Sequence, residues 1–209
     1  MDEAASAVTS DRADPLNAAI LAAVLAIVAR EGFEGATIRR VAAEADCSAG
    51  AVQKRFPTRT QLLRSAFELV VTTSLERIAG TDSTAAHSLV ERQRRAALET
   101  LPLDAVRRRE GLVWTSYVLR AAVDEALSDL PRQVDRTVHA VLANELADAQ
   151  AAGVLRSDAD PHVLTDALLG LVDGIAMRML YTPPAEHEAL LAALDAGLEA
   201  LLPGPHRGT

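Results

Sequence analysis

The sequence predicts an all-α protein, on three observations. Of its 209 residues, 49% are hydrophobic but only 3% are aromatic, so the core must be built mainly from Ala, Leu, Val and Ile. A chain rich in Ala and Leu and poor in aromatic residues favours helix over sheet. Apolar residues also recur every three or four positions, whereas no stretch alternates as a half-buried strand does. We expect about nine helices.

The first helix is expected to begin beside Pro15, with Asp14 as its N-cap, because proline suits the first helical position. It should end at Gly32, since glycine tolerates the positive φ common at helix ends. The preceding residues, 1–13, are small, polar and acidic. We expect them to form a disordered tail.

Two short helices joined by a tight turn should follow. Thr37 can cap the second helix, and Ser48 can cap the third. Residues 46–48 show no apolar periodicity and are predicted to form the turn between them. Pro57 cannot continue the third helix, which therefore ends at about Phe56.

A long fourth helix and five more helices complete the prediction. Thr58 and Gln61 stand three residues apart, as in a capping box, and open a helix that extends to about Ala79. The later helices are predicted at roughly 85–100, 103–124, 130–152, 161–181 and 185–202.

Charge is distributed unevenly along the chain. The formal net charge is −8, which for a uniform distribution would disfavour binding to nucleic acid. Residues 37–64, however, carry six basic and two acidic groups, a net of +4. Residues 65–209 carry a net of −8. The sequence therefore predicts a cationic module attached to a larger acidic one.

Several classes of protein are disfavoured by composition. Cys47 is the only cysteine, so neither an intramolecular disulfide nor a cysteine zinc cluster can form, and we expect no metal and no cofactor. The longest apolar run, 18–29, is shorter than the ~20 residues that span a bilayer. The acidic N-terminus is unlike a signal peptide. We expect a soluble, cytoplasmic protein with no membrane partner.

The segment 37–56 has the organisation of a helix-turn-helix, a motif that binds double-stranded DNA. Residues 48–51 are all small, which lets the third helix approach the floor of the major groove. Gln53 suits an adenine edge, and Lys54 or Arg55 suits guanine or phosphate. The candidate DNA-binding residues are Thr37, Arg39, Ser48, Ala49, Gly50, Ala51, Gln53, Lys54, Arg55, Thr58 and Arg59.

A family pattern runs through the same region. Its matching residues are Gly32, Thr37, Ile38, Val41, Ala42, Ala45, Ser48, Gly50, Val52, Phe56, Pro57, Leu62 and Leu63. With these, residues 20–67 resemble the N-terminal domain of the tetracycline-repressor (TetR) family of transcription regulators. The resemblance implies three DNA-binding helices, a fourth helix that links them to a ligand-binding helical domain, and a dimer. Gln53 and Ala49 replace the usual Tyr and Lys, whereas Arg59 matches a family Lys.

The second half of the chain is similar to one subgroup of that family, the choline-responsive repressors of betaine synthesis. The similarity lies in residues 101–104, Trp114, residues 153–156, Asp160-Pro161 and Asp173-Gly174. It implies a DNA-binding domain at 14–60, a linking helix at 61–79 and a ligand-binding and dimerisation domain at 80–209. Members of the subgroup sense varied ligands.

The family's inducer pocket lies among the C-terminal helices, and the predicted helix 103–124 is its most promising wall here. The candidate ligand-binding residues are Trp114, Tyr117, Arg120, Asp124 and Asp173. An alternative is that Trp114 and Tyr117 belong to the core and that Arg120 and Asp124 form an exposed ion pair. Asp173 could equally lie at a dimer interface beside Gly174. The low aromatic content predicts that choline itself is not the effector.

These observations predict a ligand-responsive repressor that binds a pseudo-palindromic operator as a homodimer, through its two C-terminal helices, and releases DNA when a small molecule binds. The helix at 60–79 would act as the lever, as the only continuous link between head and body. Two alternatives stay open. An enzyme is disfavoured because no catalytic spacing stands out. A helical dimer that binds proteins through a degenerate DNA head would fit the unusual Gln53 and Ala49.

Overall fold

The computed structural model describes residues 14–81, 87–156 and 159–204, and within them the chain is all-α, as predicted. These residues form nine α-helices and two short 3-10 helices and include no strand. The α-helices are α1 (Pro15–Glu31), α2 (Ile38–Glu44), α3 (Ala49–Arg55), α4 (Arg59–Ala79), α5 (Leu89–Thr100), α6 (Ala105–Ala121), α7 (Glu125–Ala151), α8 (Pro161–Tyr181) and α9 (His187–Leu201). The predicted tail at 1–13 lies outside the described residues.

The chain divides into two compact units. The first unit comprises residues 1–75 and 109–131, and the second comprises 76–108 and 132–209. Helices α4, α6 and α7 each contribute residues to both units. These units differ from the predicted head at 14–60 and body at 80–209, so the role of the helix at 60–79 as the lever stays a prediction.

The first unit is organised around α1, which is buried along one stripe. Ile20, Val24 and Ile27 are each at most 1% exposed and belong to one core with Val52 of α3 and Leu62 of α4. This core holds the three N-terminal helices and the first half of α4 in one piece. It thereby sets where the outer face of α3 lies.

Both predicted ends of α1 are confirmed. The Oδ1 atom of Asp14 accepts a hydrogen bond from the backbone N–H of Leu16 at 2.9 Å, which satisfies a donor that the helix itself leaves free. Gly32 ends the helix with φ +76°. Its ψ of −179° is extended rather than left-handed helical, a combination that residues other than glycine rarely adopt.

Two helices differ from their predicted bounds because aspartates cap them. Asp104 Oδ1 accepts from the backbone N–H of Val106 and Arg107, so α6 starts later than predicted, and it ends at Ala121. Asp124 Oδ1 accepts from the N–H of Ala126 and opens α7. The helix predicted at 130–152 therefore starts at residue 125, and α7 continues through Pro131. Helix α9 starts at residue 187 rather than 185, directly after a 3-10 turn and without a side-chain cap.

The second unit packs α8 and α9 together, with α5 against α9. Its core includes Leu168 and Met179 of α8 and Leu194 of α9. A Cβ atom on Gly197 would lie 2.6 Å from Leu171, so glycine at this position allows α9 to approach α8 closely. Helix α5 starts at residue 89 rather than at the predicted 85, because Ser88 caps it. Nowhere in the described residues is a helix both long and apolar enough to cross a membrane.

Candidate DNA interface and effector region

The predicted turn between α2 and α3 depends on the backbone conformation of Asp46. This residue has φ +50°, the only positive φ at a described residue other than glycine. The N–H of Cys47 donates to the carbonyl of Ala42, and that of Asp46 donates to Ala43, which is the hydrogen-bond pattern of a Schellman motif. Aspartate tolerates the left-handed region better than most residues do. The motif stops α2 abruptly, and α3 starts at Ala49.

All three N-caps predicted in this region are present. Thr37 Oγ1 accepts from the N–H of Arg40, and Ser48 Oγ accepts from that of Ala51. Thr58 Oγ1 accepts from the N–H of Gln61, whose Oε1 accepts from the N–H of Thr58 at 3.2 Å. The predicted capping box is thus confirmed. The hydroxyl groups serve helix ends, and their contact with DNA stays a prediction.

Helix α3 has one buried stripe and one open face. Val52 is fully buried, and Phe56, directly after the helix, is 4% exposed. Gln53 and Lys54 are exposed on the other side. A Cβ on Gly50 would meet no atom closer than Ser48 Oγ at 3.9 Å, so this position borders open space. Gly50 therefore faces outward, whereas Ala49 packs partly against the core.

Basic side chains near α3 fall into two groups. Arg39 and Lys54 are exposed and make no ion pair with any residue that the structure describes. Arg30 instead pairs with Glu44, and Arg40 pairs with Glu31. The Arg30 guanidinium also lowers the pKa of Glu44. The positive charge left without a local counter-charge thus lies at Arg39 and Lys54.

Arg55 and Arg59, both predicted to contact DNA, have partners within the first unit. The Nε and Nη2 atoms of Arg55 donate to Asp14 Oδ2 at 3.1 and 2.8 Å. Arg59 donates to the backbone carbonyls of Phe33 and Ala36 and lies 5.4 Å from the centroid of the Phe33 ring. Their guanidinium groups are directed into the protein, and any contact with DNA stays a prediction.

Four aromatic side chains of the first unit form an aromatic cluster. Tyr117 and Trp114 both stack on Phe67, with centroid distances of 4.1 and 5.0 Å. Phe33 meets the ring of Tyr117 edge-on at 6.1 Å. Tyr117 is only 1% exposed, so the alternative of a core residue describes its ring.

The hydroxyl group of Tyr117 does not fit a purely structural role. Its oxygen is buried and has no hydrogen-bond partner in the part of the chain that the structure describes. Burial raises the pKa of Tyr117 to about 12 because the phenolate would lose its hydration. Such an orphan polar atom costs free energy unless a group outside the chain satisfies it.

Arg120 and Asp124 form the ion pair that the alternative interpretation describes. Their charged atoms are 3.4 Å apart, and both groups retain solvent exposure. Asp124 lies beyond the end of α6, where it caps α7, so it does not continue the predicted helical face. Arg120 also approaches Glu34, at 3.9 Å.

Asp173 belongs to the second unit, whereas the other four candidate ligand residues belong to the first. Its side chain lies on the outer face of α8, between Gly170 and Gly174. Neighbouring atoms nevertheless exclude part of the water around its carboxyl group. This desolvation, together with the nearby negative charge of Asp135, raises the pKa of Asp173.

Several contacts had no signal in the sequence. Arg64 donates through one nitrogen to both carboxylate oxygens of Asp129, at 2.8 and 3.0 Å. His139 and His162, which appear unrelated in the sequence, stack with centroids 5.5 Å apart. Within the described ranges, no three His, Cys, Asp or Glu side chains are arranged to hold a metal ion.

Two family profiles match the chain. The profile described as bacterial regulatory proteins, tetR family, matches residues 20–66, which include the helix-turn-helix. The profile described as BetI-type transcriptional repressor, C-terminal, matches residues 89–203. Together they cover both halves of the described structure.

Similar proteins agree with these profiles. The HTH-type transcriptional regulator PksA of Bacillus subtilis is 28% identical over 160 residues, 75% of each chain. A transcriptional regulator from Rhodococcus sp. has 28% identity and a TM-score of 0.78, over 88% of this chain and 94% of its own. A regulator from Saccharomonospora viridis, solved in complex with choline, has 23% identity and a TM-score of 0.77, over 87% and 94%. The chain thus belongs to the TetR family of bacterial transcriptional regulators, with a C-terminal domain of the BetI type.

Proposed function

We propose that this regulator is a repressor that reads its operator with the open face of α3 and releases DNA when a small molecule binds. The observation that carries the proposal is the outward-facing start of α3, where Gly50 borders open space beside exposed Gln53 and Lys54. A helix anchored by Val52 and thin on its outer side fits a major groove.

Within that interface the residues have different tasks. Gln53 makes the base contact, because its amide both donates and accepts as adenine requires. Arg39 and Lys54 bind phosphate, since they lack a counter-charge in the described chain. Ala49 and Ala51 allow close approach of the backbone. Thr37, Ser48 and Thr58 lie at helix starts along the same region and border the phosphate backbone.

Operator recognition requires two copies of α3, and we propose a homodimer formed through α8 and α9. The outer faces of these helices combine small and apolar residues, which allow close helix packing. They are Val163, Ala167, Gly170, Gly174, Met177, Ala189, Ala192, Ala193 and Ala196. We place Asp173 at this interface, since it lies between the two glycines. The two α3 helices would then face half-sites about 34–36 Å apart.

For the effector we propose a site at the aromatic cluster, with the Tyr117 hydroxyl bonded to a polar group of the ligand. The buried oxygen without a described partner supports this role. Trp114 would lie against a flat or cationic part of the ligand. Arg120 and Asp124 favour a ligand with at least one charged or polar group.

Contacts within the first unit support a route for coupling between the effector site and the helix-turn-helix. Tyr117 contacts Phe33, and Arg120 approaches Glu34, which also pairs with Arg59 at 3.4 Å. Arg59 in turn holds the carbonyl of Ala36, next to the start of α2. A ligand that moves Tyr117 or Arg120 would therefore act on the segment that leads into the helix-turn-helix.

We propose that choline is not the effector. Trp114 and Tyr117 each have one face occupied by Phe67, so the cluster offers no open aromatic cage for a quaternary ammonium. Trp114 is the only tryptophan, and its fluorescence reports directly on the cluster. Titration with choline should leave this fluorescence and the bound operator unchanged. Saturable quenching together with DNA release would contradict the proposal.

The main test selects duplexes from a random library with the full-length protein and then measures affinity by fluorescence anisotropy. Enrichment of a pseudo-palindrome, with affinity that falls as salt rises, supports the proposal. Binding without any sequence preference would favour the alternative of a protein-binding dimer with a degenerate head. Because the relatives are transcriptional regulators, we propose no catalytic role, and action on chromosomal DNA implies a cytoplasmic location.

A further inference from the structure

One carboxylate joins the first helix of the DNA-binding head to the end of the recognition helix. Asp14 Oδ1 caps α1 through the N–H of Leu16, while Oδ2 accepts from both Nε and Nη2 of Arg55. The two side chains are 40% and 27% exposed, so the link is partly shielded from water. Arg55 is the last residue of α3.

The buried stripe of α3 sets which face of the helix points outward, and the link from Asp14 to Arg55 adds a second restraint at the end of the helix. Val52 and Phe56 are four residues apart and therefore lie on one stripe, which packs against the core of the first unit. Successive residues are separated by about 100° around a helix, which places Arg55 roughly 160° from Gln53. A tether at Arg55 therefore adds to the core contacts in restraining the direction in which Gln53 points.

We propose that Asp14 is a positioning residue for DNA recognition, which acts through Arg55 to hold α3 at the angle that presents Gln53 to the bases. The inference rests on the proposed function, because it requires sequence-specific DNA binding. It also assigns Arg55 to orientation instead of the direct DNA contact that its sequence position predicted. Arg55 then contributes to specificity without touching the operator.

The substitution Asp14→Asn separates the two roles of Asp14. Asparagine caps helices about as well as aspartate, so α1 keeps its cap while the charged link to Arg55 is lost. Removal of a negative charge near DNA by itself strengthens binding to every sequence. Loss of the link that positions α3 weakens binding to the operator only. The two effects therefore have opposite signs.

The experiment measures anisotropy on a duplex selected by the wild-type protein and on a scrambled duplex, from low to moderate KCl. For Asp14→Asn we expect roughly tenfold weaker binding to the operator, while binding to the scrambled duplex becomes slightly stronger. Glu44→Gln is the matched control, since it removes an exposed carboxylate of the same unit that pairs with Arg30 and makes no ion pair with α3. It should not weaken operator binding.

A second variant distinguishes loss of the link between Asp14 and Arg55 from a folding defect. Arg55→Gln should weaken operator binding as much as Asp14→Asn does. The double variant should bind the operator as tightly as either single variant, because both changes break the same link. Thermal unfolding of each variant shows whether it is folded. Stronger binding of Asp14→Asn to both duplexes with a steeper salt slope would overturn the inference, because Arg55 would then be a phosphate contact. Absence of any selected duplex for the wild-type protein would instead overturn the proposed function.

Discussion

The ring of Tyr117 stacks on that of Phe67 with centroids 4.1 Å apart and an angle of 19° between the planes. This contact places the Tyr117 hydroxyl in the interior of the first unit, where no described group satisfies it. The ring of Tyr117 therefore packs in the core, while its hydroxyl oxygen has no hydrogen bond to any described group. A core position alone would be served equally well by phenylalanine.

Replacement of that hydroxyl should stabilise the ligand-free protein. We expect Tyr117→Phe to raise the free energy of unfolding by about 1 kcal/mol, because it removes a buried polar group without a bond. Denaturant unfolding measures the change. Tyr181→Phe is the control, since Tyr181 is 69% exposed and should give no change. A loss of stability in Tyr117→Phe would show that the hydroxyl has a partner in the folded protein.

The two exposed polar residues of α3 should differ in what they contribute to DNA binding. Gln53→Ala should relax preference at one base pair, at a cost of about 1–3 kcal/mol on the operator. Lys54→Ala should weaken binding to all sequences and reduce the salt slope by about one. Anisotropy on operator and mutated duplexes distinguishes them. Equal losses for Gln53→Ala on every sequence would make Gln53 a phosphate contact.

Two glycines on the outer face of α8 allow a test of the dimer. A Cβ at Gly170 or Gly174 would meet nothing within 4 Å among the described residues, so a side chain at either position would start in open space. We expect the double change Gly170→Leu, Gly174→Leu to shift the protein towards monomer in sedimentation without lowering its unfolding temperature. Ala147→Leu on the exposed side of α7 is the control. An unchanged dimer would place the interface elsewhere.

Asp173 should make stability depend on pH. Its raised pKa means that the folded state binds the proton more tightly than the unfolded state, so its contribution to stability is present at low pH and is lost as pH rises. Asp173→Asn should therefore raise the unfolding temperature at pH 7.5, and the gain should shrink towards pH 4. Asp135→Asn should give part of the same gain. Asp148→Asn controls for the loss of an exposed carboxylate, and an equal gain there would contradict the prediction.

Local features of this protein could be predicted from the sequence alone. The caps at Thr37, Ser48 and Thr58, the turn at 46–48 and the buried stripe of α1 depend on residues at most a few positions apart. Their hydrogen bonds form within one helical turn and need no knowledge of the rest of the chain. The family resemblance could be recognised for the same reason, since its motifs are local.

Contacts between distant residues were decided by the tertiary structure. Arg55 meets Asp14 across 41 positions, and Arg59 meets the carbonyl of Phe33 across 26. In the sequence both arginines are simply basic residues near a recognition helix, and only the packing of α1 against α3 and α4 makes them internal anchors. The start of α7 was missed because Asp124 caps it although Pro131 follows in the same helix. Side-chain partners at this range depend on how helices pack, and the pattern along a single helix does not contain that information.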